Sequence, residues 1–241
     1  MHINLERKFK RDGFFSRALA FAASTFFLAT AVIAFAYYDR DYQFSSKGFV
    51  WNNFLSAAAL FFYCCFRSSA LKRKKFLSPV LFCVWMLFLP NTFYMLTDLK
   101  YISQFDIVAF SEPVFPDFFW RSWAFTFSLV YSVFSGVAFG IVSLIDFEHV
   151  FLSRFSRVVR ELTVAAVMLV SGFGVYIGRF ARLNSWDIIR PEFLLEELLP
   201  YLTKDSIVFI LLFAYISWIL FVLLRGVCRL CVIHPAEHEN K

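Results

Sequence analysis

The chain has 241 residues, 60% of them hydrophobic and only 17% charged, with 24 Lys and Arg against 18 Asp and Glu for a net charge of +6. With a mean hydropathy of +0.64, it carries more apolar surface than a soluble globule of this length can bury, which excludes a soluble fold and makes lipid the solvent for most of the chain. Thirty-five Phe beside eight Gly suit bulky, lipid-facing helices, and no nucleic-acid partner is expected.

A basic N-terminus, residues 1–17, carries Arg7, Lys8, Lys10, Arg11 and Arg17. Six apolar stretches follow, at 18–38, 49–66, 76–96, 118–145, 162–180 and 207–224. Crossing a hydrocarbon core of about 30 Å takes about 20 helical residues, and each stretch is near or above that length. The second is the most polar, with Asn52 and Asn53 near its start. The first also matches a cleaved leader, because basic residues precede it and Ala34-Phe35-Ala36 mimics a cleavage site, but its apolar run is longer than a usual leader core. Residues 18–224 read as one six-helix transmembrane domain and 225–241 as a cytoplasmic polar tail. The expected fold is an all-α integral membrane protein, a bundle of about six transmembrane helices with both termini cytoplasmic.

Orientation follows from Lys and Arg, which are in excess on the cytoplasmic side. With the N-terminus inside, the inner segments hold 16 basic and 7 acidic residues, and the outer ones 8 and 11. The run at 67–75, with Arg67, Lys72, Arg73, Lys74 and Lys75, reads as a topology determinant beside anionic headgroups before it reads as a binding site.

Two motifs near the end carry little. His234-Pro235-Ala236-Glu237-His238 fits the H-x-x-E-H pattern of a zinc peptidase, but it lies in a polar tail with no downstream ligand to close a site. Cys228 and Cys231 form a C-x-x-C after the last span, on the reducing side and not at the start of a helix in a strand-rich domain. Cys64, Cys65 and Cys83 read as small apolar packing residues. No metal site is expected.

The informative residues stand at three span ends that the topology places on the outer face. The second span begins Trp51-Asn52-Asn53; the third ends Leu89-Pro90-Asn91 with Tyr94, Thr97 and Asp98; the fifth ends in Gly172, Gly174, Tyr176, Gly178, Arg179 and Arg182, then Asn184-Ser185-Trp186-Asp187. Helical spacing puts Asn91, Tyr94 and Asp98 on one stripe, and Gly172, Tyr176 and Arg179 on another. At 1.5 Å per residue, Asn91 lies about 22 Å from Phe76 and Arg179 about 25 Å from Leu162, both in the outer third of the core. A guanidinium there costs about 1–3 kcal/mol unless it snorkels or pairs. Asp98 and Asp187 are the available partners, and Asp98 is expected to meet Arg179 or Arg182. Pro90 removes a helix hydrogen bond, which Asn91 can offset. Gly172, Gly174 and Gly178 allow a close helix neighbour, with the Gly136 to Gly140 face of the fourth span as the expected surface.

These residues resemble a known family, the bacterial membrane proteins catalogued as domain of unknown function 1361. Trp51-Asn52, Leu89-Pro90-Asn91 with Tyr94, Thr97 and Asp98, and the string from Gly172 through Arg179, Arg182 and Asp187 carry the resemblance, which spans the second helix to the fifth. The chain departs from the pattern at Thr92-Phe93, where the family has a small residue and a second proline. The resemblance implies a multi-pass protein of a bacterial inner membrane and gives weight to these residues. It implies no substrate, cofactor or reaction.

Three function classes remain open. The first is a binding or transport role, in which Arg179 and Arg182 hold an anionic small molecule or lipid headgroup and Asn52, Asn91, Tyr94, Thr97, Asp98, Tyr176, Asn184, Trp186 and Asp187 complete the candidate set. The second is a structural clasp of helix ends. The third is a membrane-embedded enzyme acting on a lipid-linked substrate, with Asp98 or Asp187 as general base and the arginines stabilising negative charge. The outer motifs contain no His or Cys, so only a hard cation held by oxygen ligands would fit there. The spans carry almost no charge in their inner halves, which favours binding over alternating access. Residues 190–203 alternate Glu with Leu and Phe, as a short helix on the outer surface would.

Overall fold

The computed structural model describes residues 46–104, 116–182 and 198–233, together with Phe21, Ser24, Glu192 and Glu196. Among these residues the long elements are all helices: α1 (Ser46–Leu71), α2 (Leu77–Tyr94), α3 (Pro116–Phe151), α4 (Arg157–Tyr176) and α5 (Lys204–Ile233). A 3-10 helix (Met95–Gln104) continues α2, a π-turn (Ile177–Ala181) continues α4, and a short 3-10 turn (Leu199–Tyr201) precedes α5. Five helical stretches are long and apolar enough to cross a membrane: Val50–Leu71, Leu77–Lys100, Leu129–Phe151, Arg157–Ala181 and Lys204–Cys228. The expected first span, apart from Phe21 and Ser24, lies outside the described residues, as do the basic N-terminus, the His234 to His238 motif, and Asn184, Trp186 and Asp187.

The chain divides into two compact units, Met1–Gly140 and Ile141–Lys241, with the division falling within α3. In the first unit α1 and α2 form an antiparallel hairpin, since Asn52 pairs with Asp98, Tyr63 with Trp85 and Phe66 with Phe82. Lipid is as apolar as Leu, so helices in it are held by close packing and specific polar contacts more than by water expulsion. The aromatic side chains supply that packing: Tyr63 and Trp85, both fully buried, have ring centroids 5.0 Å apart, and Phe66 stacks on Trp85 at 6.1 Å.

The tip of this hairpin is a tight turn. Arg73 N–H donates to Ala70 O and Lys74 N–H to Ser69 O, the two bonds of a Schellman stop. That stop needs a left-handed residue, and Arg73 takes it at φ 56°, where a residue with a Cβ gives up roughly 1–2 kcal/mol that glycine would not.

Small residues set the other close contacts. A Cβ on Gly136 would strike the Met95 side chain, and one on Gly140 would strike Thr92. The glycines of this face therefore receive the end of α2 and Met95 directly after it. Gly172 meets α5 instead, where an added Cβ would lie 2.9 Å from Ile210 O. Which helix fills a glycine notch is decided by tertiary packing, on which spacing within one helix is silent.

In the second unit α4 starts at Ser156, whose hydroxyl accepts from Val159 N–H at 3.3 Å. Thr203 and Ser206 start α5 with a reciprocal cap: Thr203 N–H donates to Ser206 Oγ at 2.9 Å and Ser206 N–H to Thr203 Oγ1 at 3.3 Å. Two orphan N–H groups of the first turn are thereby satisfied. The helix then runs on to Ile233, so Cys228 and Cys231 lie on α5 and not beyond it. Its Leu211, Leu212, Tyr215 and Ile216 are exposed, as a lipid-facing stripe requires.

Candidate functional site

In the first unit the polar residues close around the Pro90 break. Proline has no N–H, so the helical bond to the carbonyl of Met86 is missing. Nearby side chains bond the loosened turn: Asn91 Nδ2 donates to Phe88 O at 3.0 Å, and Thr92 Oγ1 to Leu89 O at 2.7 Å. Ser56 Oγ on α1 lies within hydrogen-bond reach of two carbonyls, Asn52 O at 2.9 Å and Asn91 O at 3.0 Å. Asn52 Nδ2 donates to Asp98 Oδ2 at 3.1 Å. The structure thus joins Asn52, Asn91 and Asp98 through α1, with Ser56 as the link. Thr97 instead bonds locally, donating to Tyr94 O at 2.7 Å.

The expected α-helical stripe through Asn91, Tyr94 and Asp98 stops at Tyr94, because the chain tightens into a 3-10 helix at Met95. Residues three apart eclipse in that geometry. Asp98 therefore falls under Met95, and both are buried, at 1% and 0% exposure. A carboxylate removed from water so completely is costly unless hydrogen-bonded, and Asn52 meets part of that need.

The end of α4, in the second unit, departs from regular geometry. Tyr176 OH donates to Tyr201 O at 2.5 Å, and its ring packs against Phe180 and Phe209. Arg179 sits inside the π-turn, and Arg182, which follows it, is left-handed at φ 56° with an exposed side chain. An i→i+5 turn takes an extra residue per revolution. The regular α-helical spacing that relates Gly172 to Tyr176 therefore does not extend through Arg179. Arg179 and Asp98 belong to different units.

The second unit also holds a polar cluster that residue-by-residue reading of the sequence does not reveal. Arg225 on α5 donates through NH1 to both carboxylate oxygens of Glu148, at 3.2 and 3.1 Å, and through NH2 to Glu161 at 2.7 Å. Arg160 NH1 stands 3.8 Å from Glu148, and the guanidinium of Arg225 lies 4.9 Å from the Phe221 ring centroid. Glu148 and Arg225 are 4% and 7% exposed. One arginine thus ties the end of α3, the start of α4 and the end of α5. The register of the two helices accounts for it: Glu161 is eleven residues before Gly172, and Arg225 eleven after Ala214, so the antiparallel contact of Gly172 with Ala214 brings the two charges together. Ser56 could be found as the residue one helical turn after Asn52.

Among the described residues no cluster of three or more His, Cys, Asp or Glu side chains could hold a metal ion.

Long apolar helices with hydrogen-bonded and charged groups gathered at their ends define a helical protein of membrane type. A family model described as protein of unknown function (DUF1361) matches residues 51–220, and the chain belongs to that family. No curated protein and no solved structure matches it.

Proposed function

We propose that this protein is a six-span protein of a bacterial inner membrane, with both termini cytoplasmic, that binds an anionic small molecule or lipid headgroup at the outer end of α4. The observation that carries this reading is the geometry around two arginines: Arg179 lies in a π-turn and the exposed Arg182 is held left-handed directly after it. π-turns and strained non-glycine residues concentrate where a side chain must be aimed, and guanidinium groups match phosphate and carboxylate in bidentate fashion. Asn184, Trp186 and Asp187, just downstream, complete the proposed site.

The hydrogen bonds among Asn52, Ser56, Asn91 and Asp98 support a second reading for the α1–α2 end alone, as a clasp that restores helix packing around Pro90. Catalysis at Asp98 is less favoured, since a general base needs access to its substrate and this carboxylate is buried. The test is extraction in mild detergent and mass spectrometry of co-purified lipids and small molecules, on wild type beside Arg179→Ala. An anionic species enriched in wild type and missing from the folded variant supports the reading; identical spectra overturn it.

A further inference from the structure

We infer that the tip of the α1–α2 hairpin, residues 72–75, is a docking surface for anionic phospholipid headgroups, separate from the proposed site at Arg179. The inference rests on the membrane reading of α1 and α2 and not on that site. Lys72, Arg73, Lys74 and Lys75 are all exposed, and the sequence has no Asp or Glu between Asp41 and Asp98, so the hairpin supplies no internal counter-ion for its tip. Phe76, directly adjoining the cations, is 91% exposed, and Val80 one turn further is exposed as well. A cationic cluster continuous with a bare aromatic matches a bilayer surface, where headgroup charge lies next to hydrocarbon. The backbone is committed to this display: the turn is closed by hydrogen bonds from Lys72, Arg73 and Lys74 N–H, and a guanidinium occupies the left-handed position that glycine would fill without strain. Charge complementarity names the occupant as a phosphate-bearing anionic lipid, since juxtamembrane Lys and Arg gain attraction from an anionic leaflet and none from a zwitterionic one.

The test is native mass spectrometry of the detergent-solubilised full chain offered phosphatidylglycerol and phosphatidylcholine of matched acyl chains. The background is Arg179→Ala with Arg182→Ala, so that the other proposed site makes no contribution. That background protein should still prefer phosphatidylglycerol. Adding Lys74→Gln and Lys75→Gln should reduce the preference about thirtyfold, as loss of two surface charges implies, whereas Lys74→Arg with Lys75→Arg should keep it. Arg73→Gly is the check on folding: it relieves the left-handed residue, so the protein should melt no lower while its preference falls. An undiminished preference in the Gln pair, or no preference in the background protein, overturns the inference. A preference already lost in the background protein assigns the lipid to Arg179 and Arg182, which leaves the proposed function standing and this inference refuted.

Discussion

Asn52 on α1 donates its side-chain N–H to the carboxylate of Asp98, 46 residues on, at 3.1 Å, and Asp98 is almost fully buried. The bond joins the start of one helix to the 3-10 turn that ends the next, so it fixes where the hairpin closes. Removing a donor from a buried acceptor costs about 1–3 kcal/mol, more when the acceptor is charged. Asn52→Ala should therefore lower the melting temperature in detergent by several degrees, and Asn52→Asp, which sets two carboxylates against each other, should lower it further. Asn52→Ala melting like wild type would show that this bond contributes nothing.

Arg225 offers a second stability test. Truncating one partner of a buried ion pair typically costs about 3–5 kcal/mol, because the other charge is left unpaired, whereas replacing the whole cluster by apolar residues is often close to neutral. Glu148→Ala should therefore destabilise strongly, and the triple variant Glu148→Leu, Glu161→Leu, Arg225→Met should recover most of the loss. Thermal melts of the two proteins decide it; a triple variant worse than the single one contradicts the argument.

Glycine positions separate packing from propensity. Gly226 has nothing among the described residues within 4 Å of an added Cβ, while Gly172 would press a Cβ to 2.9 Å from Ile210 O, a backbone atom that cannot swing aside. Gly226→Ala should gain about 0.5–1 kcal/mol from helix propensity, and Gly172→Ala should lose about 1–3 kcal/mol by overpacking. Equal effects in a melting comparison would mean that α4 and α5 do not approach as described.

Membrane orientation is testable without purification. With 16 basic residues assigned inside against 8 outside, a reporter active only in the cytoplasm, fused after Lys241, should be active, and a cysteine placed at Ser103 should react with an impermeant reagent from outside. Outside labelling of a cysteine at Ser69, beside the basic tip, contradicts this topology.

The apolar helices α1 to α5 are legible in the sequence because twenty-residue apolar runs have one stable form in lipid. The turn at 72–75 is legible as a break, since charge cannot continue the run. What a neighbouring helix supplies is not legible. Charge alone points Asp98 to an arginine; the hydrogen bond it accepts from Asn52 has no such signal, because Asn52 is neutral and only the folded hairpin sets its register. That Gly136 accepts Met95 and Gly140 accepts Thr92 is hidden for the same reason. Counting positive charges places Arg160 and Arg225 in loops, and so passes over a cluster in which Arg225 is buried and paired. The π-turn at Ile177, in which Arg179 lies, has no signature in 3.6-residue periodicity.

The central claim, that Arg179 holds an anion, is tested most directly by ligand-induced thermal shift on the purified chain. Inorganic phosphate serves as one probe and short-chain phosphatidylglycerol as the other, both in a Lys72→Gln, Arg73→Gln, Lys74→Gln, Lys75→Gln background that silences the hairpin tip. A ligand at 100 times its Kd stabilises the folded state by about 2.7 kcal/mol, a shift of a few degrees. A compact ammonium replaces only part of a bidentate guanidinium contact, so Arg179→Lys should melt like its parent without ligand and lose most of the shift. A shift with both probes indicates a site for the phosphate group itself, and a shift with the lipid alone a headgroup site. No shift with either probe, together with a large drop in the unliganded melting temperature of Arg179→Lys, would contradict the claim and make Arg179 a structural residue.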